Sequence, residues 1–406
     1  MNPETLRAWW FHHQGLDGSL AGATPAAVLE RTGWARSVAG ASPYLGLRAR
    51  LGLGRQAVDD AVARLEIHEL PSARGCTYIV PASAFALALK VSQAFGPEAD
   101  MRIARKLGVT DAEVDTLCAA VLAALAAGPL EPDELRLGVG DGVVRSLGEA
   151  GKKKGMSTTL PLALGRLQTQ GEIRRVPVNG RLDQQRYRYT LWRPNPLAGF
   201  DLSPAECDAE LARLFFRWIG PATFEELQTF TALGVKAAKA AAAELRLVPV
   251  AGGSAAGAAG ERFVLPEQAE ELAAFTVPDE PRYALVGSLD PLLSLRRDVD
   301  DLLVPEDAGR QGAGEKAPSA LVGKAGLPNH AILDRGRVIG LWEYDSEAGE
   351  IVWISFVPPD PELRRQVAEC EDYVRRDLGD MRSFSLDSPK SRVPRLQVLR
   401  ALRDAT

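Results

Sequence analysis

Apolar and polar positions along the chain repeat one order three times: a Thr or Pro helix start, a short helix, a second amphipathic helix, then two short strands around a polar turn. In the first copy Thr24-Pro25 opens a helix. Further on, Val58, Ala61, Val62 and Leu65 keep the i, i+3, i+4, i+7 spacing that lines up apolar side chains on one helical face. Strands are predicted over residues 67–70 and 76–80. Pro71-Ser72-Ala73-Arg74-Gly75 between them is turn chemistry, and Gly75 takes positive φ without a Cβ penalty.

Between the first two copies, Val114, Leu117, Cys118, Val121, Leu122 and Leu125 form the apolar face of a helix that Gly128-Pro129 ends. The second copy starts at Leu130-Glu131-Pro132-Asp133. Its later helix has Thr158-Thr159 as N-cap candidates, Pro161 in the first turn, Leu160, Leu164 and Leu167 toward the core, and Gly171 as its stop. Strands over residues 172–178 and 185–192 are joined through Asn179-Gly180, a hairpin signal. The third copy opens with Gly220-Pro221-Ala222-Thr223 and places Ala238, Ala241, Ala242 and Leu245 on one helical face, with Lys236 and Lys239 on another. Its strands are expected over residues 247–250 and 262–265, with the Ala/Gly/Ser tract 251–260 as a flexible tip.

Beyond Pro278 the helical period gives way to short strands: residues 331–333 and 338–344 around Asp334-Arg335-Gly336-Arg337, and 351–356. Residues 308–318 read as a polar loop, 361–378 as a closing helix carrying Leu363, Val367, Cys370 and Val374, and the rest as a Pro-rich tail. A helix–helix–hairpin repeat is the grammar of a winged helix. The predicted fold is therefore α+β, with winged helices at 1–95, 96–200 and 201–277 and a small C-terminal β-barrel with closing helix and tail at 278–406.

The length supports that count, since 406 residues hold three or four units of roughly 150 or fewer. With 46% hydrophobic and 25% charged residues, disorder and fibrous repeats are excluded as the main organisation. Cys76, Cys118, Cys207 and Cys370 are far apart. With His12, His13, His68 and His330 they give no zinc-like spacing, so reduced thiols and neither metal nor cofactor are expected. MNPETLRAWW has no signal-peptide pattern, and no stretch nears the roughly 20 apolar residues of a membrane helix, so a cytoplasmic, nucleoid-associated monomer without membrane contact is expected.

A net charge of −5 does not advertise a nucleic acid partner, but the charge is unevenly placed. Lys152, Lys153, Lys154, Arg166, Arg174, Arg175, Arg181, Arg186, Arg188 and Arg193 stand against only Glu172 and Asp183, a local excess of eight positive charges on the second helix and hairpin. Such segregation attracts a phosphate backbone through counterion release, although a solvated basic surface would read the same way. Lys152-Lys153-Lys154, between Gly151 and Gly155, suggests a flexible loop making nonspecific phosphate contacts. Arg48, Arg50 and Arg55, and Arg335 and Arg337 on the C-terminal hairpin, are weaker DNA-binding candidates. Trp9-Trp10-Phe11 beside His12-His13 fits core anchors with rim histidines better than a base-stacking platform. No nucleophile elbow, phosphate loop or dinucleotide fingerprint is present.

Six stretches, taken in order, carry a family resemblance: Gln14-Gly15-Leu16, Gly46-Leu47-Arg48-Ala49-Arg50, Arg74-Gly75-Cys76-Thr77-Tyr78, Gly220-Pro221-Ala222-Thr223, Leu289-Asp290-Pro291-Leu292-Leu293 and Gly336-Arg337-Val338-Ile339-Gly340-Leu341-Trp342. Over most of its length the chain resembles the winged-helix DNA glycosylases that unhook interstrand crosslinks, the AlkZ/YcaQ type. The resemblance implies three winged helices and a β-barrel embracing duplex DNA, damaged or crosslinked, in a repair role. The family's Gln-apolar-Gln or Gln-apolar-Asp triplet, which handles water at the glycosidic carbon, is matched here by Ala39-Gly40-Ala41, and its Thr-x-His by Cys76-Thr77-Tyr78. Neither alanine accepts a proton or orients water. Three readings follow: a DNA-binding member with lost or altered glycosylase activity, an active glycosylase using Asp59, Asp60, Glu66 or Glu69, and a noncatalytic DNA-binding regulator.

Overall fold

The computed structural model of the chain describes residues 1–140, 142–183, 186–251, 260–296, 299–314, 316–323 and 326–405. It is 48% helical and 16% strand. Two compact units emerge, Met1–Ile67 with Asp208–Thr406, and His68–Cys207.

In the first unit, helix Pro3–His13 starts at Asn2, whose side chain accepts the Glu4 N–H. It buries Trp9, Trp10 and Phe11 in the main core. The indole N–H groups of Trp9 and Trp10 donate to Gly220 O (2.9 Å) and Pro221 O (3.2 Å), so the tryptophans are core anchors with satisfied polar tips. His13 departs from the rim expectation. It is buried, stacked on Trp9 and bonded to Arg217 O at 2.6 Å, while His12 beside it stays partly exposed and pairs with Asp17.

Helix Pro25–Thr32 is capped by Thr24, and helix Arg55–Ala63 buries Val58, Ala61 and Val62. Leu65 drops out of the expected stripe. The backbone turns left-handed there (φ 56°) and Glu66 N–H closes onto Ala61 O, ending the helix early. Thr223 and Glu226 form a reciprocal capping box at the start of helix Phe224–Thr231. Helix Val235–Ala241 follows, exposing Lys236 and Lys239, then antiparallel strands Val248–Val250 and Arg262–Val264. Leu245 sits in a 3-10 turn beyond that helix, and residues 252–259 of the Ala/Gly/Ser tract lie outside the described residues.

The C-terminal strands correct the barrel expectation. Glu350–Ser355, Arg337–Asp345, His330–Asp334 and Tyr283–Val286 form an open antiparallel sheet in that order. Four strands are too few to close on themselves. Helix Pro361–Tyr373 packs against strands Tyr283–Val286 and Glu350–Ser355, and helix Pro389–Asp404 against Glu350–Ser355 and Arg337–Asp345, so helices share the core with the open sheet. The expected polar loop 308–318 contains the paired strands Gln311–Ala313 and Pro318–Ala320. The expected Pro-rich tail is helix Pro389–Asp404, capped by Ser388, with Pro389 in the first turn, where no N–H is missed. It buries Leu396 and Leu399, and that burial outweighs the interruption at Pro394.

In the second unit, residues 68–71 of strand Ile67–Pro71 and strand Thr77–Pro81 share a sheet, with both Arg74 and Gly75 at positive φ in the turn. Helix Asp111–Leu125 and helix Leu160–Thr169 pack their predicted faces together. Thr159 occupies the N-cap position, but its hydroxyl accepts the Arg145 N–H rather than capping the helix. The hairpin is Ile173–Pro177 against Tyr187–Leu191, with Gly180 left-handed in the turn and Gln184 and Gln185 outside the described residues.

Candidate functional site

The second-unit hairpin sorts its charges by the two-residue period of a strand. Arg174 pairs across the ladder with Thr190, and Val176 with Arg188, so Arg174, Arg188 and, by alternation, Arg186 share one face. Arg175, opposite Tyr189, shares the other face with Tyr187. The two faces differ in chemistry. Arg175 binds Glu69 at 3.1 Å and lies over the Tyr187 ring at 4.7 Å, while burial and Glu69 push the Tyr187 phenol well up. Glu69, one of the candidate carboxylates, is therefore a buried partner of Arg175.

On the basic face, Arg186 is 75% exposed, and it and Arg188 share one carboxylate, Glu131, at 3.1 and 4.0 Å. Arg174 is half-buried with no carboxylate against it among the described residues, and burial alone lowers its pKa. Lys153 and Lys154 are exposed and form no ion pair among the described residues; Lys152 ends helix Gly148–Lys152 and pairs with Glu149 at 2.8 Å.

The remaining candidates are engaged by the protein. Arg166 binds Asp115 (2.5 Å), Arg181 binds Asp183 (2.5 Å) and Arg193 binds Glu172 (2.9 Å). Arg55 binds Asp59 (3.0 Å) and Asp377 O, and Arg48 donates to Gly52 O and lies 5.0 Å over Tyr373. Arg48 also lines a groove of about 650 Å³, on whose rim Arg365 pairs with Glu362 and Glu369. Arg335 donates to Asp334, Pro278 O and Asp279 O; Arg337 binds Asp307 at 2.7 Å. Arg50 is a correction. At 2% exposure it forks onto Asp290 (2.7 and 2.9 Å) and bonds Gln14 twice (both 2.9 Å), so it is a core ion pair and out of reach of phosphate.

Of the candidate carboxylates, Asp59 is held by Arg55 and the Tyr44 hydroxyl (2.5 Å), Asp60 by Gln56, and Glu66 by Arg64. Sequence reasoning also passed over His68. It is buried against Phe85 and Trp192, with neither ring nitrogen hydrogen-bonded among the described residues. Burial, then Arg174 and Arg175, hold its pKa down to about 3. The unfolded chain takes up that proton near pH 6.5 and the folded chain only near pH 3. Stability is therefore expected to be full above about pH 6.5 and to fall as pH drops through that window. Urea unfolding of the protein and of His68→Phe between pH 7 and 4 checks this; equal pH slopes would refute it.

In the first unit, the loop Val38–Ala41 lies under the C-terminal segment. Ala41 N–H donates to Arg382 O (2.9 Å), and Ser385 N–H donates to Val38 O (3.0 Å). Ala41 is 0% exposed, Ala39 is buried at φ 59°, and a Cβ on Gly40 would collide with the Ser383 carbonyl.

The model of the family "DNA glycosylase AlkZ-like" matches residues 29–375. The chain belongs to the AlkZ-like DNA glycosylase family. The solved structure of Streptomyces sahachiroi DNA glycosylase AlkZ is similar in fold: TM-score 0.65 at 21% identity, over 91% of this chain and 96% of that one. No curated protein matches the chain. Membership of the AlkZ-like family supports DNA binding and a DNA repair role. No helix among the described residues is long and apolar enough to cross a membrane. The AlkZ-like match ends at Arg375, so the segment that covers Val38–Ala41 lies beyond it.

Proposed function

We propose that this AlkZ-like chain binds damaged or crosslinked duplex DNA as a monomer, with its glycosylase activity lost or altered, and that its three helix–hairpin repeats are winged helices divided near residues 95, 200 and 278. The observation that carries the binding reading is the sorting of the second hairpin: Arg174, Arg186 and Arg188 occupy one face, where a single carboxylate, Glu131, pairs with Arg186 and Arg188 and none pairs with Arg174 among the described residues, while Arg175 on the opposite face is neutralised by Glu69. A wing with a charged outer face supplies phosphate contacts without reading bases.

The loss of activity rests on Ala39 and Ala41. At the positions that the resemblance gives to water-handling side chains, the chain has two methyl groups, both buried. A positioned general base contributes about 10²–10⁴-fold in rate, so binding and excision are expected to separate. The test is base release from duplexes carrying N7-methylguanine or an interstrand crosslink, beside a binding titration on the same DNA. Tight, salt-sensitive binding with little or no release is expected; robust release would overturn the inactive reading. Ala41→Gln is not a simple restoration here, because the site has no exposed volume for an amide and overpacking a buried position costs about 1–3 kcal/mol.

A further inference from the structure

Between two buried anchors, the C-terminal segment crosses Val38–Ala41 without burying a side chain of its own. Met381 is 0% exposed at one end, and Asp387, held by Arg395 at 3.1 Å, is buried at the other. Residues 382–386 between them are half-buried or exposed, with Phe384 at 44% and Leu386 at 81%. Two backbone hydrogen bonds, at Ala41 and Ser385, tie this stretch to the loop, and it approaches the loop as closely as only a glycine at position 40 permits. The anchors are tied separately: Arg392 to Asp380 (2.5 Å) and Arg395 to Glu343 (2.9 Å) hold helix Pro389–Asp404 in place through contacts the strap does not make.

Further hydrogen bonds of the stretch run to its own C-terminal side, from Ser383 N–H to Asp387 (2.9 Å), from Asp387 N–H to Phe384 O (3.0 Å) and from the Ser391 hydroxyl to Leu386 O (3.3 Å), and do not have to break for it to leave the loop. A stretch pinned at both ends with no buried side chain is the kind that opens locally while the rest of the domain stays folded. We propose that residues 382–386 are a strap that shuts Val38–Ala41 off in the free protein and lifts to let duplex DNA reach that loop. This rests on the DNA-binding reading above for the identity of the ligand. The opening itself is a property of the free chain. Both faces of the contact are then exposed together: the backbone of Val38–Ala41 and the donor of Ser385.

Two measurements test it. In the free protein, hydrogen exchange is expected to release the Ala41 and Ser385 amides together, about a hundredfold faster than the Ile332 amide inside the four-stranded sheet. Equal protection of all three would mean the strap is fixed and would overturn the proposal without any reference to DNA. The second uses the full chain with Val38→Cys and Ser385→Cys, whose backbones already pair. Oxidised, it is expected to leave the loop unprotected in a hydroxyl-radical footprint of the protein on duplex DNA and to bind about tenfold more weakly than when reduced. Identical affinity and footprint in the two redox states sink the gate. Gly40→Ala, which crowds Ser383, is expected to speed tryptic cleavage after Arg382 about tenfold, and an unchanged cleavage rate counts against it. A reduced protein that binds no DNA at all would sink the DNA-binding reading instead, while the exchange result still decides whether the strap opens.

Discussion

Arg50→Ala is expected to destabilise the protein by roughly 3–5 kcal/mol, the range for removing one partner of a buried ion pair. Asp290, itself buried, would keep its charge with no cation opposite it, and the Gln14 carbonyl and side-chain oxygen would each lose their donor. Removing both charges with Arg50→Met and Asp290→Leu is expected to cost much less, because packed apolar groups replace the pair without leaving a bare charge. Urea denaturation of the single and double variants reads the difference as a coupling energy. A loss below about 1 kcal/mol for Arg50→Ala would show that solvent reaches the pair. DNA affinity measured well below the unfolding transition is expected to stay unchanged, which separates this arginine from those proposed to contact phosphate.

Replacing Arg174, Arg186 and Arg188 together by alanine should change the salt dependence of DNA binding. Each phosphate contact contributes about 0.9 to the slope of log K against log salt, so the slope should become shallower by about 2–3. Between roughly 50 and 200 mM salt that amounts to about a 40-fold difference in how much affinity is lost, and the effect should be the same on unrelated sequences. Arg175→Ala should act differently. It leaves Glu69 buried without its cation and so should lower stability more than it alters the salt slope. A triple variant with the parental slope would reduce the basic face to a solvated surface.

Secondary structure was legible wherever local rules sufficed. The Thr24 cap, the apolar stripe of Asp111–Leu125, the Asn179-Gly180 turn and the strand pair around Gly336 each follow from neighbours within a few residues, and each appears in the fold. The basic excess of the second hairpin was visible for the same reason, as a property of composition along the chain. Local rules failed where burial decided. Helix Pro389–Asp404 looks like a tail because its prolines dominate the pattern, yet Leu396 and Leu399 find a sheet to cover. The expected barrel is an open four-stranded sheet sharing its core with two C-terminal helices, a packing that strand signals alone do not reveal.

The sequence by itself determined the helix–helix–hairpin order, the charge segregation and the absence of side chains able to handle water at residues 39 and 41. Those depend only on residue type and spacing. Tertiary structure alone decided which of the arginines are available. Arg50 met Asp290 from 240 positions away, Arg175 met Glu69, and Arg337 met Asp307, while Arg174, Arg186 and Arg188 stayed on one face with a single carboxylate between two of them. It also decided that Val38–Ala41 is covered by residues more than 300 positions further on. Partners so distant leave no periodic trace in the sequence, because the energy that selects them comes from desolvation and packing in the folded chain rather than from any local preference.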